Sequence, residues 1–296
     1  MQFAAFRDDA DEVIRRALEN NISLINVGTQ KDTSAKAVEI AAQYPEGVWA
    51  TVGLHPIHTE KSYHDKQELG LPVEARAKRD AKAGGGFESR GEEFDYAYYK
   101  RLAEDPKVVA IGECGLDYAV FARERGERLQ KRASAEAFSE GGLPQERIAK
   151  QKRVFESQVE LAKEMGKPLM IHCREAFEDL VEILRASRFT LQAPGVVHFF
   201  SGTKEDAKKL MDLGFSFSFG GVLTFTHDYD AVVRYIEPDR ILLETDAPYV
   251  APVPYRGKRN EPSYIIEVAK KVAELENLSL EKVAETTFQN AQRIFL

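Results

Sequence analysis

The 296-residue chain holds only two cysteines, one tryptophan and six histidines, and these scarcities narrow what it can be. Cys114 and Cys173 lie inside apolar segments, so a disulfide scaffold is excluded and reduced thiols in a cytoplasmic setting are expected. No apolar run approaches the roughly 18–20 residues that cross a bilayer, so no membrane partner is expected. The opening MQFAAFRDDADEV has no basic region leading into an apolar stretch, so no secretory leader is expected. No G-x-G-x-x-G turn follows any apolar run, which argues against a dinucleotide-binding doubly wound sheet. Basic excess is lacking as well, with 41 Lys and Arg against 48 Asp and Glu and a net charge of −7. That balance excludes a dedicated nucleic-acid coat protein but leaves room for a local basic groove.

What is present is ample for a large core, with 43% hydrophobic residues. Residues 9–20 read as a helix, with Asp9 and Glu12 at capping-box spacing and Val13, Ile14 and Ala17 on one face. Seven short apolar runs follow, at 22–27, 48–54, 108–114, 168–172, 196–200, 215–219 and 241–245. Helical patterns separate them, among them 34–42 and 153–165. Continuous rather than alternating apolar strands mark burial on both faces, and strand–helix repetition implies a parallel sheet. A closed (β/α)₈ TIM barrel needs eight strands, and the chain starts on a helix. The expected architecture is therefore one TIM-barrel domain over 1–296 with its first strand missing. Two charged, glycine-containing stretches, 61–95 and 119–150, read as loop insertions. The span 119–153 carries nine Lys/Arg against five Glu, an excess able to guide a polyanion.

Polar residues with metal-ligating or acid–base chemistry stand at strand ends. His55 ends TVGLHP, Glu113 lies in VVAIGECGLDY, His172 ends PLMIH, His198 lies in GVVHFFSG and Asp246 follows ILLET. In a parallel barrel those ends converge on one mouth. Burying several carboxylates and imidazoles together is costly unless cations or hydrogen bonds compensate them. Nitrogen and carboxylate donors without thiolates suit Zn²⁺, Mn²⁺ or Mg²⁺. If Glu113 and His172 face the mouth, then Cys114 and Cys173, their neighbours, face the core.

The motifs GLHP (53–56), AIGECGLDY (110–118), IHCREA (171–176), HFFSG (198–202), ETDAP (244–248) and PYRGKRNEP (254–262) resemble, in order, those of the TatD family of metal-dependent deoxyribonucleases. The resemblance implies a barrel with two divalent ions that hydrolyses phosphodiesters of a DNA substrate, with exonuclease action and a monomeric, cytoplasmic enzyme. It implies Glu113 as the bridging ligand, His172 and His198 on one ion, and Asp246 on the other, orienting or deprotonating the attacking water. His55 would sit near the scissile phosphate, and Arg174, Arg256 and Arg259 would contact phosphate oxygens. The family's opening H-x-H pair is absent, so one ion site is expected to be incomplete. A start shortened by loss of that strand is the expectation, because an open barrel leaves strand edges unpaired. The alternatives are a hydrolase of cyclic amides, esters or lactones on the same scaffold, or an inactive barrel. His58, His64 and His227 read as ordinary loop residues.

Overall fold

The structure is a computed structural model that describes residues 1–64, 87–119 and 145–296. Its strands are β1 (Leu24–Val27), β2 (Val48–Val52), β3 (Lys61–His64), β4 (Phe87–Arg90), β5 (Val108–Asp117), β6 (Leu169–Arg174), β7 (Gly195–His198), β8 (Ser216–Phe219) and β9 (Ile241–Leu243). Seven of them pair in parallel in the order β1-β2-β5-β6-β7-β8-β9, and β3 and β4 form a separate antiparallel pair. The seven are the runs read from the sequence, and they curl into an open barrel. Among the described residues β1 and β9 each have a sheet partner on one side only.

The curl divides each strand into two faces with a period of two residues. On β6, Leu169, Ile171 and Cys173 point outward into the core beneath the helices, while Met170 belongs to a second, inner cluster. Val197 and Phe217 lie outward and Val196 and Leu242 inward in the same way. Both faces are apolar for most of each strand, which is why the sequence shows continuous runs. At the C-terminal strand ends the inner positions turn polar.

The connecting helices include α1 (Ala10–Glu19), α2 (Lys31–Ala42), α3 (Tyr96–Ala103) and the long α4 (Gln145–Met165). After these come α5 (Phe177–Ser187), α6 (Lys204–Met211), the short α7 (Asp230–Val233), α8 (Ile265–Glu276) and α9 (Leu280–Phe295). α1 buries Val13, Ile14 and Ala17 as its pattern predicts, but Asp9 makes no side-chain capping bond at its start. Its carboxylate instead receives two bonds from the Arg259 guanidinium, at 2.8 and 2.6 Å, and that charge-assisted pair wins over a backbone cap.

Residues 65–86 and 120–144, where most of the two expected insertions fall, lie outside the described residues. The described part of the second, from Gln145, is the first turns of α4. Of the basic residues in 119–153, five lie outside the described residues. Arg147 and Lys150 meet Glu60, Lys150 also meets Glu93, and Lys152 meets Asp179, so their charge is spent on holding α4 in place.

A candidate metal centre at the mouth of the barrel

Two glutamines of α4 fix the backbone on which the site is built. The fully buried Gln158 accepts from Leu54 N at 2.8 Å and donates to Leu54 O at 3.0 Å, directly before His55. Two turns earlier, Gln151 accepts from Asp117 N at 2.9 Å and donates to Asp117 O at 3.1 Å. A primary amide can satisfy both groups of a strand end that has no further strand to pair with, and deleting it would leave buried polar groups unmade. Next to Glu113, Gly115 has φ +137, and a Cβ there would come within 1.9 Å of His172 O. Only glycine lets β5 approach β6 this closely.

The result is a convergence on one oxygen. Glu113 Oε1 is 3.2 Å from His55 Nε2, 3.2 Å from His172 Nδ1 and 3.3 Å from His198 Nε2. All four residues line one cavity of about 1150 Å³. Proximity alone groups His55 with Glu113 and His172, with ligand atoms within 4.8 Å of one another. Hydrogen-bond direction separates the imidazoles further. The second nitrogen of His172, Nε2, meets Asp117 Oδ2 at 2.9 Å, and that of His198, Nδ1, meets Glu244 Oε2 at 2.8 Å. A carboxylate behind each ring holds a proton there and aims the other ring nitrogen at Glu113, the orientation of a metal-ligating histidine. His55 differs, because its Nδ1 accepts from Ile57 N at 3.2 Å. Its proton therefore sits on Nε2, which makes it a donor toward the cluster rather than a ligand.

The charges follow from these contacts. Burial alone would raise the Glu113 carboxyl, but the His55 and His198 rings and hydrogen bonds from His172 and His55 hold it well below the usual range. Burial opposes charge on His172 and His198 too. Hydrogen bonds to Asp117 and Glu113 nevertheless push His172 up to about 9, and the charges of Glu244 and Glu113 push His198 up to about 10. His55 is lowered, chiefly by burial, and stays neutral. Asp246 is raised to about 7, first by burial and then by the neighbouring Glu244 and Glu113. Without an ion the cluster thus balances its carboxylates with protons on imidazoles. Glu244 Oε1 is buried with no hydrogen-bond partner among the described residues. Two oriented imidazoles with displaceable protons and a deprotonated carboxylate form a donor set that fits a divalent cation.

The other residues expected from sequence divide. Asp246 lines the cavity with φ +51, in a loop that Asn260 brackets by donating to Thr245 O at 2.5 Å and Tyr249 O at 2.7 Å. Arg174, an inner residue of β6 two places after His172, and Arg256 also line the cavity. Arg259 does not: it bonds Asp9, Glu261 and Ala5 O and lies over the Phe6 ring. Cys114 and Cys173 are buried free thiols.

Sequence reasoning missed Asp117, Glu244, Ser218, Gln151, Gln158 and Asn260. Ser218 donates to Glu244 Oε2, which also accepts from Phe199 N at 3.3 Å. A positional signal was available for two of them. Asp117 is four residues after Glu113 on the same strand and so shares its inward face, and Glu244 directly follows β9, two residues before Asp246.

A parallel α/β barrel carrying an imidazole–carboxylate cluster at the C-terminal ends of its strands defines a metal-dependent hydrolase. The family model described as TatD related DNase matches residues 1–296, and the chain belongs to that family. It is 34% identical over 290 residues to the Bacillus subtilis "uncharacterized metal-dependent hydrolase YabD", covering 97% of this chain and 92% of that one. It is 31% identical over 298 residues to the "3'-5' ssDNA/RNA exonuclease TatD" of Erwinia tasmaniensis, covering 98% and 95%. Among solved structures the TatD homologue YjjV of Escherichia coli K12 shares the fold, with a TM-score of 0.73 at 22% identity over 99% of this chain and 94% of that one.

Proposed function

We propose that this metal-dependent hydrolase cleaves phosphodiester bonds of single-stranded DNA from an end, as a cytoplasmic monomer. The observation that carries the reading is the convergence of His172 Nδ1 and His198 Nε2 on Glu113 Oε1 in a cavity that Arg174 and Arg256 also line. Glu113, His172 Nδ1 and His198 Nε2 would hold one Mg²⁺, Mn²⁺ or Zn²⁺ ion, and Asp246 with Glu113 forms a sparser second set. An ion held there supplies positive charge for a phosphate oxygen and lowers the pKa of a water. Asp117 and Glu244 keep the two ligating rings oriented. Asp246 would orient or deprotonate the attacking water. His55, neutral with its hydrogen on Nε2, would give a hydrogen bond to an oxygen of the scissile phosphate. Arg174 and Arg256 supply a cationic wall for phosphate inside an acidic protein. The free thiols of Cys114 and Cys173 support a reducing compartment.

End-labelled single-stranded DNA, a lactone and a cyclic amide incubated with the protein and each ion provide the test. DNA is expected to shorten stepwise, to be spared by chelator, and to be cut about 10³-fold more slowly by Glu113→Gln. Turnover of the lactone or amide with DNA left intact overturns the reading.

A further inference from the structure

The wall of the cavity beyond the metal cluster has chemistry of its own. Phe225 follows the 3-10 turn Gly221–Thr224 after β8, lines the cavity, and leaves 41% of its surface exposed. Arg256 lies flat against it, the guanidinium carbon 3.8 Å from the ring centroid. The arginine is held by its own loop through a bond to Ala251 O at 3.1 Å. That loop is locked to the turn beneath Phe225: Val253 N donates to Thr224 Oγ1 at 2.9 Å. At Gly221 a Cβ would come within 2.2 Å of Val250 O, so the two segments touch through backbone. A large apolar ring on the cavity wall thus has a cation over it and keeps part of its surface exposed. Tyr229 and Tyr249 line the same cavity.

An aromatic ring left partly exposed in a cavity beside an arginine is unfavourable in water unless a flat, partly apolar group covers it in use. Unpaired nucleobases have that shape, and they come attached to phosphates that the guanidinium would attract. Bases of a duplex are already stacked and cannot offer a face. We propose that Phe225, backed by Arg256, is a stacking subsite for one nucleobase of single-stranded nucleic acid, placed beside the phosphodiester held at the cluster. This rests on the phosphodiesterase reading above. Stacking is indifferent to the sugar, so the subsite accepts DNA and RNA alike, and it makes single-strandedness a requirement of binding.

The experiment is a cycle of two changes. Dissociation constants are measured by anisotropy in chelator for short single-stranded oligonucleotides, intact or with one abasic residue moved along the strand, as DNA and as RNA. Wild-type protein is expected to lose about ten-fold in affinity at one abasic position in both series. Phe225→Ala and Phe225→Leu are expected to lose that much with the intact strand and nothing further at that position, while Phe225→Trp keeps the wild-type pattern. Circular dichroism and melting confirm the folding of each variant. Equal sensitivity to the abasic position in wild-type and Phe225→Leu overturns the subsite. So does a wild-type protein indifferent to abasic residues at every position. In either case, hydrolysis of the base-free diester methyl p-nitrophenyl phosphate by wild-type protein shows that the phosphodiesterase reading stands on its own. No turnover of any phosphodiester would overturn both.

Discussion

His172 and His198 each turn one ring nitrogen toward Glu113 and the other toward a carboxylate, whereas His55 turns its second nitrogen toward a backbone N–H. Two of the three are thereby set up to exchange a proton for an ion, and this has a consequence with a definite sign. In the metal-free protein His172 titrates at about 9 and His198 at about 10, above the ordinary 6.5. Their contribution to stability is complete below 6.5 and is lost as pH rises through those higher values. Asp246, raised from 3.8 to about 7, acts in the same direction, since its neutral form is the favoured one in the fold. The metal-free protein should therefore weaken as pH rises above neutrality. A bound ion takes over from the protons, so its stabilising effect should grow over the same range. Melting with and without Mn²⁺ at about pH 6 and about pH 8.5 checks this, with the larger increment expected at the higher pH. Glu244→Gln, which takes the charge from behind His198, should flatten the dependence. An increment equal at both values would mean that no imidazole proton is displaced.

At the level of strands and loops, the existence of the elements was legible and their facing was not. Met170, Val196 and Leu242 make the inner face as apolar as the outer one, so nothing in those runs alternates. Five polar strand-end residues were visible because each interrupts such a run at its close. The residues that orient them were hidden for physical reasons. Gln151 and Gln158 look like ordinary surface amides in a helix until the backbone they bracket is known. Asp117 and Glu244 sit beside showier neighbours. The motif 254–262 was read for its arginines, whereas its buried Asn260 closes the loop carrying Asp246 and its Arg259 fastens that segment to α1. Replacing Arg259 by Ala should accordingly cost about 1 kcal/mol, since the pair with Asp9 is only about two-thirds buried. A thermal-melt cycle with Asp9→Ala should show the two losses to be non-additive. The salt dependence of oligonucleotide binding should be unchanged, and a shallower salt slope in the variant would return Arg259 to the substrate.

Across the whole molecule, His55, His172 and His198 meet on one oxygen of Glu113, although Glu113, His172 and His198 come from three different strands and His55 from the turn after a fourth, in a sheet made wholly of parallel neighbours. Parallel pairing joins segments distant in the chain, which makes folding slow and leaves no local fragment able to mimic the finished site. A cation offered to the unfolded polypeptide therefore finds no pocket worth occupying, and it enters last. Latecomers of this kind strengthen contacts absent from the folding barrier, so they act on the lifetime of the native state and not on the speed of reaching it. In stopped-flow experiments with Mn²⁺ the refolding rate should stay as it is in chelator while unfolding slows in proportion to occupancy. Once loaded, the enzyme would carry its cation as a latch whose removal sets the clock for its decay.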